Sequence, residues 1–240
     1  MPRWLYLICI RSLNNGEMVE RYVLSEEIPS LPPAAFRLLR YWKSVRSQHV
    51  LPHRRTMDPI PLREWISQLS IIELHKGEKQ FFVRVHGSET VENLGQEFSR
   101  SYIEDHTSGV ARDIATRPYQ TALETLMPVY STVEALPGSG VFNTLDRLIL
   151  PFTDVDQEQP DAPVSVDRFL SWLGPTDRVR GEEAAIYRSD LPVQEAGKNG
   201  DSKGLIQLMV IDVDDPRYGF DEASHPNMPF AAQRPLAKQP

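Results

Sequence analysis

Between Ser30 and Gln48 the apolar positions return at spacings of three and four, through Ala35, Leu38, Trp42 and Val45, with Phe36 and Leu39 widening the stripe. That period predicts an amphipathic helix, with Arg37, Arg40, Lys43 and Arg46 falling largely outside its apolar face. Ser30 suits its N-cap, and Pro32 and Pro33 suit a first turn whose N–H groups have no intrahelical partner. Leu51-Pro52 and Asp58-Pro59 break the chain after it, and Pro61 opens a short second helix carrying Leu62, Trp65, Ile66 and Leu69. The period then changes to two. Ser70–Leu74 and Gln80–His86 read as strands joined by a turn at Lys76-Gly77-Glu78. In the second strand Phe81, Val83 and Val85 point one way, and Phe82, Arg84 and His86 the other.

Gly87–Gly109 predicts short helices and loops around Leu94 and Phe98. Val110–Leu126 regains helical spacing, with Ile114, Ala122 and Leu123 inward and Pro118 as a kink. Met127–Leu136, Asn143–Pro151 and Ser165–Leu173 are three further strands. A turn at Pro137-Gly138-Ser139-Gly140 follows the first, and a Pro- and Asp-rich loop, Asp154–Pro163, parts the last two. Two strands, a helical middle and three strands predict an α+β domain: a five-stranded antiparallel sheet with helices on one face, preceded by an N-terminal helix. Leu205–Val213 is an apolar run fit for an added strand. Asn14–Ile28 is polar and reads as loose, and Pro216–Pro240 is proline-rich and reads as irregular. The chain divides into an N-terminal extension (1–29), a domain with leading helices (30–174) and a C-terminal extension (175–240).

Composition narrows the function classes. Of 240 residues 40% are hydrophobic, as in an ordinary globular protein, and the net charge of −7 argues against generic nucleic-acid binding. The charge is uneven. Leu31–Ile60 holds six basic residues against Asp58 alone, while Thr153–Glu222 carries sixteen acids against seven bases. Such asymmetry either seats a second protein or lets one part of the chain dock on another. A single cysteine, Cys9, excludes an internal disulfide and a Cys-based zinc site, and suits a reducing compartment. Trp4–Ile10 is apolar but seven residues long, too short to cross a bilayer, so the chain reads as cytoplasmic with no membrane partner.

Chemistry-bearing patterns are sparse. The six histidines show no HExxH spacing, so no metal site is expected, and no cofactor. Gly138–Gly140 lacks the GKS or GKT of a phosphate loop, Asp154, Asp156 and Glu158 miss the register of a calcium loop, and no serine sits in GxSxG. An enzyme is the least favoured class. Arg84 and His86, with Arg147 on a later strand, are candidates for binding an anionic group; an ion pair of Arg147 with Asp146 or Glu134 is the alternative. Arg54 and Asp58 either anchor an acidic partner or organise the turn between helices and sheet. Phe36, Leu39 and Trp42 pack either on the chain's own sheet or on the same helix of a second subunit, which would make a homodimer.

Several short features occur in a telling order: Tyr41-Trp42 and Arg46, then Leu51-Pro52 with Arg54, Asp58-Pro59, Phe82-x-Arg84-x-x-Gly87-Ser88 with Leu94-Gly95, and Asp146–Phe152. Together they resemble a PAS-like domain family of alphaproteobacteria whose biochemical role is unassigned. The resemblance covers Leu31 to Leu173. It implies a PAS fold, occurrence as a stand-alone domain, and a sensory or scaffolding role in bacterial signal transduction, exercised through a partner protein. A small-molecule pocket between sheet and helices is the second implied role. The chain departs from the pattern in reading LPHRR around Pro52 and Val85-His86 before Gly87.

Overall fold

The computed structural model describes residues 6–14, 17–25, 31–133, 145–155, 164–175, 205–215 and 218. The helix predicted from the first stripe is α1, Pro33–Arg46, with Pro32 and not Ser30 at its N-cap; Ser30 lies outside the described residues. Its stripe is consumed at once: Ala35, Leu38, Leu39 and Trp42 are buried. After a 3-10 turn at Arg54–Thr56 come α2 (Pro59–Leu62) and a second 3-10 turn at Ile66–Gln68. The helical middle holds α3 (Ser88–Leu94), α4 (Ile103–His106) and α5 (Gly109–Thr125).

The five strands expected from the alternation are β3 (Leu69–Leu74), β4 (Phe81–His86), β6 (Val129–Val133), β7 (Leu145–Phe152) and β8 (Arg168–Pro175). They lie side by side in the order β6-β7-β8-β3-β4, each pairing antiparallel. The strand count needs correcting, because among the described residues the sheet has nine strands and not five. A two-residue β5 (Ser101–Tyr102) closes one edge. On the other, β9 (Leu205–Val210) pairs with β6, and a hairpin of β1 (Tyr6–Asn14) and β2 (Glu17–Ser25) continues beyond it. The segment expected to be loose, Asn14–Ile28, therefore supplies a nine-residue strand. The Pro137–Gly140 turn, Glu134, and all of the Pro216–Pro240 tail save Tyr218 lie outside the described residues; Tyr218 is buried against the core.

Both faces of the sheet are covered at β7. Leu148, Ile149 and Leu150 are consecutive in β7 and all fully buried, so neither side of the strand meets water. Opposed residues of neighbouring strands share a face, which fixes two sets of rows. One set holds Ser131, Arg147 and Leu173, then Ile149, Ser171, Ser70 and His86; α5 packs there, with Tyr119 against Phe81 and Phe169. The other set holds Leu150, Leu170, Ile71 and Val85, and the segment of Arg54–Leu62 lies over it. α1 covers β7, held by the Trp42 indole N–H, which donates to the Pro151 carbonyl at 2.9 Å. The leading helix thus adds a layer on the face that α5 leaves open.

The uneven charge of the chain closes in part on itself. Arg46 reaches Asp214 at 2.5 Å, Lys43 reaches it at 4.0 Å, and Arg54 meets Asp154 at 3.1 Å, so the basic leading segment is seated on the acidic later one.

Gly87 marks the closest backbone approach. A Cβ there would stand 2.3 Å from the Ser67 carbonyl oxygen and 2.7 Å from that of Ile66, both backbone atoms with no freedom to step aside. Gly87→Ala is expected to cost about 2 kcal/mol through forced displacement of α3 from the Ile66–Gln68 turn. Urea denaturation of the two proteins measures it, and an unchanged midpoint would refute the close approach.

Candidate functional site

The sheet register decides where each candidate side chain points. Between Ile71 and Ile72 of β3 the pairing with β4 slips: Ile71 faces Val85 and Ile72 faces Val83, leaving Arg84 as the extra residue of a β-bulge. The slip reverses the alternation expected for the end of β4. Val85 turns to the outer face, where it is 48% exposed, and His86 turns inward to join Phe81 and Val83. Arg84 stays exposed at the bulge. Arg84 and His86 therefore do not share a face, contrary to the alternation of the sequence.

His86 sits in a small aromatic stack. Its side chain is 5% exposed, and its ring packs on Phe98 at 5.4 Å, which in turn stacks on His106 at 4.5 Å. The backbone N–H of His86 donates to Ser99 Oγ, while Nδ1 is buried without a hydrogen-bond partner, 3.8 Å from Glu97. His106 is held by Ser101 and Gln96. Burial holds the His86 imidazole below its ordinary value, Glu97 pulls it up, and His106 presses it down. A histidine of this kind is indifferent above about pH 6.5 and destabilises the fold as pH falls from there toward its depressed value, because the unfolded chain takes the proton first. The thermal midpoint of the wild type should therefore fall more between about pH 7.5 and about pH 5.5 than that of His86→Phe. Parallel slopes would contradict the buried neutral ring.

Arg147 faces the same side as His86, but the Ser70 and Ser171 row stands between them. Its guanidinium donates to the carbonyls of Ile114 (2.9 Å) and Ala115 (3.1 Å) and to Ser131 Oγ, and lies 5.8 Å from the centre of the Tyr119 ring. The chemistry behind this is local to α5. Pro118 has no N–H, so the Ile114 carbonyl four residues earlier has no helical donor, and Arg147 supplies one. Tyr119 donates its hydroxyl to Ser171 Oγ at 3.0 Å. Burial raises the Tyr119 hydroxyl and lowers the Arg147 guanidinium. Asp146, offered as the ion-pair partner of Arg147, lies on the other face and accepts from Thr132. The three candidate ligand residues are thus not assembled into one site.

Arg54 and Asp58 do not pair with each other. Asp58 caps α2, accepting from the Ile60 N–H at 2.9 Å, and its own N–H donates to the Tyr41 hydroxyl. Arg54 binds Asp154, and the Pro52–Arg54 backbone is bonded to Thr153 at the end of β7. Both residues thus make their described contacts within the turn between helices and sheet. Leu39 and Trp42 are buried in the chain's own core and Phe36 is partly buried against it, so the stripe expected at a helix pair is covered in cis.

Two arrangements had no forewarning in the sequence. A polar chain crosses the outer face from the Tyr102 hydroxyl to His75 Nδ1 (3.0 Å), on to Glu73 (3.6 Å), Arg168 (2.5 Å) and Asp154 (3.3 Å). Beside it runs an open cleft of about 380 Å³, lined by Arg54, Arg55 and Arg168 with Met57, Pro59, Leu62, Ile71 and Leu170. Among the described residues no group of His, Cys, Asp or Glu side chains could hold a metal ion, and no helix is long and apolar enough to cross a membrane.

No curated protein matches the chain, and no solved structure does. A family model described as PAS domain matches residues 31–163, which run from the start of α1 through β7 and so take in the leading helices, both 3-10 turns and four of the five central strands. With more than half of its 240 residues inside that match, on an antiparallel sheet with a helical interlude after its second central strand, the chain belongs to the PAS domain family, whose members are sensory modules of signal transduction.

Proposed function

We propose that this PAS domain is a non-enzymatic sensory or scaffolding module of bacterial signal transduction that acts through protein–protein contacts in the cytoplasm. The observation that supports it is the filling of the space between α5 and the sheet. There Phe81, Tyr119 and Phe169 pack ring on ring, Tyr119 bonds Ser171, and Arg147 is hydrogen-bonded to the Ile114 and Ala115 carbonyls and Ser131 Oγ. A ligand seated there would first have to displace the tyrosine or the arginine, exposing the carbonyl that Pro118 leaves without a helical donor. Contacts at the surface require no such displacement.

The small-molecule reading keeps one observation in its favour. The Arg147 guanidinium is partly buried with no carboxylate among its described partners, and an anionic ligand would supply one. Native mass spectrometry of the purified full chain separates the two. A protein mass without adduct is expected; a stoichiometric co-purifying anion lost in Arg147→Met would overturn the contact-mediated role in favour of a ligand sensor.

A further inference from the structure

The geometry points to the cleft on the outer face of the sheet, between α2 and the Ile71–Leu170 row, as a docking groove for an acidic amphipathic helix of a partner protein. Its floor is apolar, formed by Met57, Leu62, Ile71 and Leu170, and among the described residues every charged one lining it is an arginine. Two of the three are engaged from behind: Arg54 by Asp154, and Arg168 by Asp154 and Glu73. Arg55 is exposed and has no carboxylate among the described residues; its backbone N–H bonds His53 Nδ1, which fixes where its side chain starts. The nearby carboxylate of Asp58 is turned to the Ile60 N–H as the α2 cap.

The apolar surface does not stop at the cleft. Ile71 faces Val85 across the β3–β4 pair, and Val85 is 48% exposed because the bulge at Arg84 turned it outward. On the other flank Ile60 is 69% exposed, on the helix that supplies Pro59 and Leu62 to the lining. A soluble surface rarely leaves such a strip without a use.

Shape selects the occupant. A small ligand needs a site that buries most of its surface, and this trough is open to solvent. An amphipathic helix presents one apolar face and keeps the other in water, which an open trough accommodates, with anchors at i, i+3, i+4 and i+7. Charge selects its sign, because Arg55, with no carboxylate among the described residues, repels a basic flank and draws an acidic one. This groove rests on the contact-mediated role proposed above and specifies it.

The test uses the full chain and a synthetic helix carrying leucine at i, i+3, i+4 and i+7 with glutamates on its flanks, beside a twin with lysines in their place. Fluorescence anisotropy should show binding of the glutamate peptide that weakens with salt, and none of the lysine twin. Arg55→Glu and Ile60→Asp, both at exposed positions, should each weaken binding by roughly tenfold. Lys76→Glu, in the exposed β3–β4 turn, should leave it unchanged. Absence of binding to the glutamate peptide, equal binding of the twin, or indifference to Arg55→Glu would each overturn the groove. Co-purification of an anion bears on the broader role and not on this titration, so the two fail separately.

Discussion

Trp42→Ala is expected to remove about 3–5 kcal/mol of stability, a large share of what holds a domain of this size folded. The indole is 1% exposed and is one of the largest side chains wholly inside the core. Three things go with it. The first is the packing that covers β7. The second is the bond from Nε1 to the Pro151 carbonyl, which joins residues 109 apart in the chain. The third is the platform under Arg46, whose guanidinium lies 5.7 Å from the ring centre while it reaches Asp214. Trp42→Phe keeps most of the apolar area and leaves one carbonyl without its donor, so a smaller loss of about 1–2 kcal/mol is expected. Urea unfolding followed by far-ultraviolet circular dichroism measures both without relying on the tryptophan signal. The midpoints should not depend on protein concentration, because the stripe is covered within the chain. A loss below about 1 kcal/mol for the alanine variant would mean that α1 is not part of the core.

What the sequence made legible was whatever depended on period and order. The 3.6-residue stripe of α1, the apolar strand runs of β3 and β7 and the proline-bearing helix around Pro118 all lie where the pattern puts them. Within the hairpin of β1 and β2, the strand β2 is not legible because Glu17–Ser25 mixes charges among its apolar residues. A signal was nevertheless present: Asn15-Gly16 stands between Asn14 and Glu17, which pair across a two-residue connection, the spacing that favours a tight hairpin.

The candidate site was legible in residue choice and not in arrangement. Arg54, Asp58, His86 and Arg147 each make specific contacts, but none of the contacts is with another member of the set. The bulge at Arg84 is the clearest reason. Strand alternation assumes one residue per pairing step, and a single insertion exchanges Val85 with His86 without any mark in composition. The arginine-lined cleft brings Arg54 and Arg55 to Arg168, more than a hundred residues away, and no spacing rule reaches that far.

Arg147→Met should cost about 3 kcal/mol, and Pro118→Ala should return part of it. The guanidinium serves carbonyls on α5, and the one at Ile114 lacks a helical donor only because residue 118 is proline. In Arg147→Met that carbonyl is buried and unpaired, which accounts for most of the loss. Alanine at 118 restores an N–H four residues ahead of Ile114, so in the double variant the helix closes its own bond. A coupling of about 1 kcal/mol between the two substitutions is therefore expected from a double-mutant cycle in urea. If Arg147 instead stabilised the fold through the Tyr119 ring or Ser131, the losses would add and Pro118→Ala would rescue nothing. Arg147→Lys tests the fork geometry: a single ammonium cannot donate along two diverging directions to Ile114 and Ala115 in the way a guanidinium does, so lysine should recover less than half of the loss. Additive losses in the cycle would detach Arg147 from the proline and leave the Tyr119 ring and Ser131 as the groups its guanidinium serves.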